Sequence, residues 1–317
     1  MLQAIETAGV VGLSADEIAE KTGLSRYATR LVVDACQSLE LVVAEGARYR
    51  LGGPGRVLLR DRRTQVNLEF THDVCYRGAF HLDEALREGR PAGLSTLGDW
   101  KTIYEGVPDL PPQIRDSWYA FDHLYSDGVF PRAVRYLSNR GVRRLLDVGG
   151  NTGRFAVQAA ALMDVTMLDH PGELAIARKN ADAAGVGARV ATHPIDLLDH
   201  SQPFPRAFDA VWMSQVLDCF SEKDIVGLLR RAQAALAEDG RIFIVESFAD
   251  RQPAEPARVS LHALSLYFAC IANGTSRMYC ATDLLRCAED AGLVLEDDRS
   301  LGPWHTLLVL RARKTGS

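Results

Sequence analysis

The sequence predicts an α/β protein whose mostly parallel sheet is preceded by a smaller helical domain. Two observations lead to this prediction. From about Arg143 to the end, short apolar runs typical of buried strands alternate with helical stretches. Before that point the pattern is helical, apart from one alternating stretch over residues 41–53. The chain has 317 residues, which is long for one hydrophobic core and sufficient for two.

The stretch LLDVGGNTGRF, residues 145–155, is the most informative motif of the chain. It predicts a buried strand that closes at Asp147, then a turn that contains Gly149, Gly150 and Gly153, then a helix. Glycines let the backbone bend sharply and let a ligand approach without a Cβ atom in the way. A strand, a glycine turn and a helix N-terminus together predict a cofactor cradle.

The spacing within this turn bears on the identity of the cofactor. A nicotinamide fingerprint reads G-x-G-x-x-G, whereas Asn151 stands at its second glycine position here. Asp147 instead places a carboxylate beside the turn, and D-x-G-x-x-x-G resembles motif I of S-adenosylmethionine (SAM) methyltransferases. SAM carries an ammonium group and no pyrophosphate, which suits a carboxylate at this place. The alternative is a tight strand-to-helix turn that binds nothing.

Further acids follow at the ends of the next predicted strands. Asp169 ends VTMLD, twenty-two residues after Asp147, where a ribose diol is held in such folds. Asp196 follows the next strand-like stretch and is expected to accept a hydrogen bond from an adenine amino group, with Leu197 packed on the ring. FDAVWMS predicts strand four, and RIFIVES predicts strand five with Glu246 at its end. Acids at successive strand ends indicate one shared site.

Composition and charge exclude several functional classes. The net charge of −5 does not favour a general nucleic-acid or membrane binder. The longest apolar stretches are far shorter than the ~20 residues that a membrane helix needs. The start, MLQAIETAGV, has no basic region before an apolar run, so no signal peptide is predicted. The first helix begins at Leu2, which leaves open whether residues precede Met1 in the natural protein.

The six cysteines show neither a C-x-x-C pair nor zinc spacing. We therefore expect no metal site. Reduced, mostly buried thiols are typical of a cytoplasmic protein, which is the location that we expect.

The N-terminal block shows a helix, helix, helix and wing pattern. The second and third helices have Ser14 and Ser25 as their expected N-caps, and LVVAEGARYRLGG alternates around a turn. This pattern predicts a winged helix. A DNA-binding regulator would use residues 25–39 as its recognition helix, but that stretch offers only Arg26 and Arg30. Residues 1–70 contain nine Lys/Arg and nine Asp/Glu, so pairing of two subunits is favoured over DNA binding.

Residues 64–140 are predicted to be helical and rich in aromatic side chains. A first long or broken helix is expected to end at Gly89, and the Pro108–Pro112 segment separates two later helical pieces. We divide the chain into a winged-helix-like domain with a linking helix, residues 1–95, and a cofactor domain, residues 96–317. The latter has a helical lid or linker over 96–140 and its core over 141–317.

Nearly the whole chain resembles the small-molecule O-methyltransferases that join a winged-helix dimerisation domain to a Rossmann-like SAM domain. These include plant phenolic, acetylserotonin and bacterial polyketide-tailoring methyltransferases. The resemblance is strongest at LLDVGGNTG and extends to Asp169, Asp196, DGRIFIVES and SRMYCATDLLRCAEDAGL. It implies SAM as cofactor, a small-molecule acceptor, and a homodimer whose helices close each other's pockets.

The chain departs from this family at the catalytic base. The family has a histidine where Asp218 stands, a lysine where Ser214 stands, and a second glutamate where Ser276 stands, whereas Glu246 keeps its familial type. We assign Ser214 to the cofactor site. Proton transfer from a phenol of pKa about 10 to an ordinary Asp is uphill by ~8 kcal/mol, against ~5 kcal/mol for a histidine. Asp218 can act as base only if burial raises its pKa.

Three catalytic arrangements are therefore open. Asp218 is a retuned base or a polar residue that positions the acceptor hydroxyl. Alternatively, His123 or His262 has taken over the proton. In the third arrangement no strong base is needed, as in methylation of an activated phenol ring on carbon. A SAM-bound enzyme that does not transfer methyl, such as a decarboxylase or hydroxylase, is a further alternative.

The aromatic content suits a flat apolar acceptor. The predicted lining residues of the acceptor pocket are Trp118, Phe121, Tyr125, Phe220, Leu264, Tyr267, Phe268 and Met278.

Overall fold

A computed structural model describes residues 1–313. The chain forms two compact units, Met1–Thr71 and His72–Ser317. The domain boundary proposed from the sequence, at residue 95, thus falls within the second unit.

The first unit consists of five helices and one β-hairpin. Its elements are α1 (Leu2–Ala8), α2 (Ala15–Thr22), α3 (Arg26–Ser38), β1 (Val42–Glu45), β2 (Arg48–Leu51), α4 (Gly53–Arg60) and α5 (Arg62–Phe70). β1 and β2 pair antiparallel, and Leu13 exchanges two backbone hydrogen bonds with Tyr49 beside them. The predicted helices and hairpin are therefore present in the predicted order.

Local sequence explains where these helices begin. The Ser14 hydroxyl accepts from the backbone N–H of Glu17 at 3.3 Å, and the Glu17 carboxylate accepts from the backbone N–H of Ser14 at 2.7 Å, which is a capping box. Ser25 caps α3 by accepting from Ala28. Both expected caps are confirmed. The helices close on a small apolar core made by Ile5, Leu13, Ile18, Val33, Val42 and Leu51.

The second unit begins with helices and continues as an alternating α/β series. Its helices are α6 (Leu82–Glu88), α7 (Ile103–Gly106), α8 (Pro112–Ser126), α9 (Phe130–Asn139), α10 (Arg154–Ala159), α11 (Pro171–Ala183), α12 (Glu222–Ala235), α13 (Glu255–Tyr267) and α14 (Ala281–Asp290). Its strands are β3 (Arg144–Val148), β4 (Asp164–Asp169), β5 (Val190–Pro194), β6 (Phe208–Ser214), β7 (Leu236–Glu246), β8 (Leu293–Ser300) and β9 (Thr306–Ala312). The broken helix expected before Gly89 is confirmed, because a π-turn and a 3₁₀ turn separate α5 from α6.

The seven strands form one sheet in the order β5-β4-β3-β6-β7-β9-β8. β3 to β7 run parallel, whereas β9 pairs antiparallel with both β7 and β8. The predicted parallel sheet ending in an antiparallel hairpin is confirmed. Helices cover both faces: one core contains side chains of α12 and α14, and the other contains side chains of α9, α10 and α11.

Two helices end before their helical sequence patterns do. The apolar pattern FAVQAAALM continues to Met163, but α10 ends at Ala159, because the chain must turn into β4 at Asp164. The helical pattern over residues 221–240 also continues beyond α12, which ends at Ala235, and β7 already begins at Leu236. Leu236 pairs with Phe208 of β6 ahead of a register shift, so strand pairing overrides the local helical preference.

Within the described part of the chain, no helix combines the length and the apolar character needed to cross a membrane.

We expect Ser14→Ala to lower the free energy of unfolding of the first unit by about 1 kcal/mol, because the backbone N–H of Glu17 loses its side-chain acceptor. Urea unfolding followed by far-ultraviolet circular dichroism measures the change. Ser38→Ala is the matched control, because that hydroxyl only donates to the Asp34 carbonyl at the end of α3. Equal unfolding midpoints for the two variants would contradict the expectation.

Candidate active site

The candidate site lies at one edge of the sheet. Because β3, β4, β5, β6 and β7 are parallel, their carboxyl ends meet at the same edge. The order β5-β4-β3-β6-β7 reverses direction at β3, and ligands of open α/β sheets bind at such a switch point. The acids predicted at successive strand ends are therefore neighbours along this edge.

The glycine turn after β3 has no room for side chains. Gly149 and Gly153 have positive φ angles of 71° and 79°, which other residues rarely adopt. A Cβ atom on Gly149 would lie 2.4 Å from Val216 Cγ2, and one on Gly150 would lie 2.8 Å from Asp147 Oδ2. The three glycines are required by the local geometry, as the sequence indicated.

Asp147 lies beneath this turn and is only 2% exposed. Among residues 1–313 its Oδ2 atom has no hydrogen-bond partner. Burial, reinforced by the nearby Asp169 carboxylate, raises the pKa of Asp147 to about 8. A buried carboxylate oxygen without a donor, next to a turn that excludes Cβ atoms, fits a ligand that brings a cation or a hydrogen-bond donor.

Asp169 ends β4 and is tied to the glycine turn. One of its oxygens accepts from the backbone N–H of Asn151 at 2.8 Å, and the other accepts from the N–H of His170 at 2.7 Å. Burial raises its pKa, and these two hydrogen bonds oppose the rise. Asn151 itself has a φ of 51°, so the residue that breaks the nicotinamide pattern also adopts the left-handed conformation.

Asp196 and Leu197 follow β5. The Asp196 side chain is exposed, and its Oδ1 accepts from the backbone N–H of Leu198 at 2.9 Å. Leu197 is buried, and its side chain belongs to the core that also contains Phe204 and Phe208.

The exit of β6 is held by Glu246 from the end of β7. Glu246 is 4% exposed, and its Oε1 accepts from the backbone N–H groups of Val216 at 3.1 Å and Leu217 at 3.0 Å. Burial and the nearby Asp218 carboxylate raise the pKa of Glu246 well above its usual range. The second oxygen of Glu246 and the Ser214 hydroxyl are buried and have no partner within the described chain.

Asp218 follows in a short 3₁₀ turn and is partly buried. Burial raises the pKa of this carboxyl to about 6, although the Cys219 thiol, 3.5 Å from its Oδ1, acts in the opposite direction. Asp218 therefore has the raised pKa that a base at this position requires. It also contributes to the raised pKa of Tyr104 and of Asp122, which places these groups in one electrostatic neighbourhood.

Helix α8 contacts the cofactor segments through three residues that lie within little more than one helical turn. The Tyr119 hydroxyl donates to Glu173 Oε1 at 2.8 Å, and the Asn151 amide donates to Asp122 Oδ2 at 3.0 Å. His123 Nε2 lies 3.3 Å from the Thr152 hydroxyl, and burial lowers the pKa of His123 to about 4. His123 is thus brought to the site as a neutral imidazole.

Sequence reasoning missed Asp122, Glu173 and Tyr104. Glu173 is buried in the first turn of α11, and burial together with Asp169 raises its pKa to about 8. An acid in the first turn of a helix is ordinary in a sequence, so no local pattern identifies it. Asp122 could have been found from its position one helical turn after Trp118. Its neighbours in this segment are aromatic, and they drew attention away from the acid.

Several predicted pocket residues lie together. Trp118 Nε1 donates to the Tyr267 hydroxyl at 2.9 Å, which joins α8 to α13. The rings of Phe121 and Tyr125 are 5.1 Å apart, and those of Tyr267 and Phe268 are 5.3 Å apart.

Other predicted residues lie in different surroundings. Phe220 is buried and belongs to the core that contains the side chains of α12. Met278 is buried, and its N–H donates to the Ser265 hydroxyl, while Leu264 is half-buried on α13. His262 is exposed and lines a separate surface cleft with Asp250 and Glu255, so the structure does not bring it to Asp218.

Within the described chain, no group of three His, Cys, Asp or Glu side chains is placed to hold a metal ion.

Comparison with known protein families identifies the family of this chain. Residues 128–293 match the family model of the O-methyltransferase domain, which is more than half of the chain. The chain belongs to this family. It is 26% identical to L-tyrosine C(3)-methyltransferase of Streptomyces lavendulae over 267 residues, covering 82% of this chain and 72% of that protein. It is 27% identical to acetylserotonin O-methyltransferase of Mus musculus over 348 aligned positions, which cover 100% of this chain and 84% of that protein.

A solved structure of similar architecture is the S-adenosylmethionine-dependent methyltransferase SibL in its apo form. The TM-score is 0.68, with 26% identity and coverage of 99% of this chain and 92% of that one. The methyltransferase is therefore an enzyme that uses SAM. The unpartnered Asp147 oxygen and the glycine turn without Cβ atoms fit this cofactor.

We expect Gly149→Ala to lower the free energy of unfolding by ~1–3 kcal/mol more than Gly185→Ala, because only the Cβ at residue 149 meets another side chain. Gly185 is a close control, since its φ of 72° matches the 71° of Gly149 and its Cβ would meet nothing within 4 Å. Urea unfolding measures stability, and calorimetry with S-adenosylhomocysteine measures cofactor affinity, which we expect to fall only for Gly149→Ala. Equal effects of the two variants would contradict this.

Proposed function

We propose that this methyltransferase transfers the methyl group of SAM to the hydroxyl of a small aromatic or polyketide-like acceptor. The observation that carries the proposal is the meeting of two groups at one sheet edge. Asp147 and Asp169 lie at the ends of β3 and β4, and Asp218 follows β6 in a 3₁₀ turn. Helix α8, which carries Trp118, is joined to the turn after β3 by the hydrogen bond from the Asn151 amide to Asp122. The names of the relatives, an acetylserotonin O-methyltransferase among them, support an aromatic acceptor.

We assign the cofactor-holding roles as follows. Asp147 faces the ammonium group of SAM, and the turn at Gly149, Gly150 and Gly153 gives its amino-acid part a close approach to the backbone. Asp169 accepts from the ribose diol, and Asp196 accepts from the adenine amino group. Ser214 offers its buried, unpartnered hydroxyl on the same side.

When bound, SAM supplies an electrophilic methyl group on a positively charged sulfur. The chain has to hold the acceptor oxygen in line with that methyl group and to accept the phenol proton. We assign the proton to Asp218. With its pKa raised to about 6, transfer from a phenol of pKa about 10 is uphill by ~5 kcal/mol, close to the cost for a histidine. Glu246 acts indirectly, because it fixes the backbone that carries Asp218.

Methylation on carbon is the second candidate reaction. The similarity to an L-tyrosine C(3)-methyltransferase favours it, and so does the replacement of the familial histidine by Asp218. His123 would then be a neutral hydrogen-bonding group beside Thr152 and not the base, because its pKa of about 4 lies far below that of a phenol.

We further propose that the first unit is a winged-helix domain that forms a homodimer and binds no nucleic acid. Its helices and hairpin support this, as do the exposed apolar side chains of Val10, Tyr27 and Leu31. Light scattering of the full chain tests the dimer.

We place the functional boundary between the domains near residue 95, as expected from the sequence. We also propose that the protein is located in the cytoplasm, where its free thiols would stay reduced.

The reaction itself is tested by incubating the full chain with SAM and a panel of phenols. We expect S-adenosylhomocysteine to form in equal amount with a product heavier by one CH₂ unit. Proton NMR of the product separates a methoxy group from a ring methyl group. SAM that remains bound but unconverted while an acceptor is consumed would contradict methyl transfer and favour a non-methylating enzyme.

The pH dependence tests the base. We expect kcat/KM to fall as the pH drops through about 6, because Asp218 then becomes protonated and cannot accept the phenol proton. Asp218→Asn should lose most of its activity and should no longer show this fall of kcat/KM near pH 6. Asp290→Asn, which changes an exposed side chain, should keep the wild-type pH profile of kcat/KM. A limb near pH 4 in the wild type would point to His123 instead. An unchanged profile in Asp218→Asn would remove Asp218 from the mechanism.

A further inference from the structure

Asp122 is an acid of the site to which the proposed function assigns no role. It lies on α8, one helical turn after Trp118, so the two side chains are neighbours on the same helix face. Its Oδ2 accepts from the Asn151 amide at 3.0 Å, which fixes the carboxylate beside the glycine turn. About 29% of its side chain remains exposed, so the carboxylate is not fully enclosed by protein.

Among residues 1–313, His123 is the only side chain of ion-pair type within 4 Å of Asp122, at 3.7 Å. That imidazole is neutral at neutral pH, since burial lowers its pKa to about 4. Arg154 acts to lower the pKa of Asp122, but its guanidinium is paired with Asp127 at 2.5 Å. Among residues 1–313, no Lys or Arg side chain forms an ion pair with the Asp122 carboxylate within 4 Å.

The surroundings of Asp122 disfavour its own charge. Burial, together with Asp127 and Asp218, raises the pKa of Asp122 to about 7. A cationic ligand beside it would reverse this effect and favour the ionised form. A half-buried carboxylate without a Lys or Arg ion pair therefore gains when a ligand brings a positive charge.

Trp118 supplies the second half of such a site. Its indole is fixed by the hydrogen bond from Nε1 to the Tyr267 hydroxyl at 2.9 Å and by edge contact with Tyr119, with 5.4 Å between ring centroids. An indole face attracts an ammonium group, and the attraction is strongest at partly desolvated places. A carboxylate and an aromatic face one helical turn apart form a common arrangement for binding amines.

We propose that Asp122 and Trp118 form a subsite for a protonated amine, at the junction between the cofactor turn and the acceptor pocket. This rests on the proposed function. The protonated amine has two possible sources: the α-ammonium group of the cofactor, which Asp122 would then share with Asp147, or an alkylammonium group on the aromatic acceptor. In either case the site selects against an acceptor that places a carboxylate there, because Asp122 and Asp218 would repel it.

Calorimetry with the full chain separates the two sources without using turnover. The cofactor arm compares S-adenosylhomocysteine with 5′-methylthioadenosine, which lacks the amino-acid tail. The acceptor arm, with S-adenosylhomocysteine bound, compares tyramine with 4-propylphenol, which has the same size but no charge, and with 3-(4-hydroxyphenyl)propionate, which is an anion. Asp122→Asn is the main variant, since its amide oxygen can still accept from Asn151. Asp116→Asn, on the same helix and with 71% of its side chain exposed, is the control.

In one of the two ligand pairs, we expect Asp122→Asn to lower the affinity for the amine-bearing ligand by about tenfold and to leave the affinity for its uncharged counterpart unchanged. A selective loss for S-adenosylhomocysteine assigns the subsite to the cofactor, and a selective loss for tyramine assigns it to the acceptor. Trp118→Leu should produce the same selectivity by several-fold, and it replaces Asp122→Asn if that variant does not fold.

Two results would overturn the inference. The first is equal affinity of wild type and variants for all ligands. The second is an equal loss for charged and uncharged members of both pairs, which would make Asp122 a purely structural link to Asn151. In both cases S-adenosylhomocysteine still binds, and the proposed function stands. Failure of the wild type to bind S-adenosylhomocysteine would overturn both the inference and the proposed function.

Discussion

The site depends on one constraint, the burial of the Asp147 carboxylate at the carboxyl end of β3. An isolated carboxylate in the interior is costly, and here one of its oxygens has no donor among the described residues. The turn above it consists of glycines because a Cβ at Gly150 would touch the same oxygen. The sequence of the turn, the raised pKa of the acid and the space for a ligand are thus consequences of one arrangement.

The same constraint recurs around the cleft. Asp122, Asp147, Glu173 and Asp218 all have pKa values raised first of all by burial. Each gains when a ligand brings a positive charge or a donor, because the ionised form is then compensated. The folded protein holds these groups in place at a cost in stability, and binding of a cationic ligand offsets part of that cost. A site of this kind favours a sulfonium cofactor over a pyrophosphate.

Much of the fold could be predicted because its signals are local. The strand, the glycine turn and the start of the helix after Asp147 are contained in eleven residues, and the terminal hairpin follows from two strands without a helix between them. The end of α12 could not be predicted, since Leu236 is drawn into β7 by pairing with Phe208, nearly thirty residues earlier. Asp122 and Glu173 were missed for a related reason, because their partners Asn151 and Tyr119 come from distant segments.

In the proposed mechanism, Asp218 takes the place of the histidine that the family resemblance implies. Glu246 fixes the turn after β6 through two backbone N–H groups, so the position of residue 218 is set by the backbone and not by its own contacts. The raised pKa comes from burial in the same place, where the Glu246 carboxyl is itself kept from ionising freely. An ordinary aspartate would be too weak a base for a phenol, whereas one with a pKa near 6 is close to a histidine. The environment that Glu246 and the surrounding core create therefore matters more for the proton than the identity of the side chain.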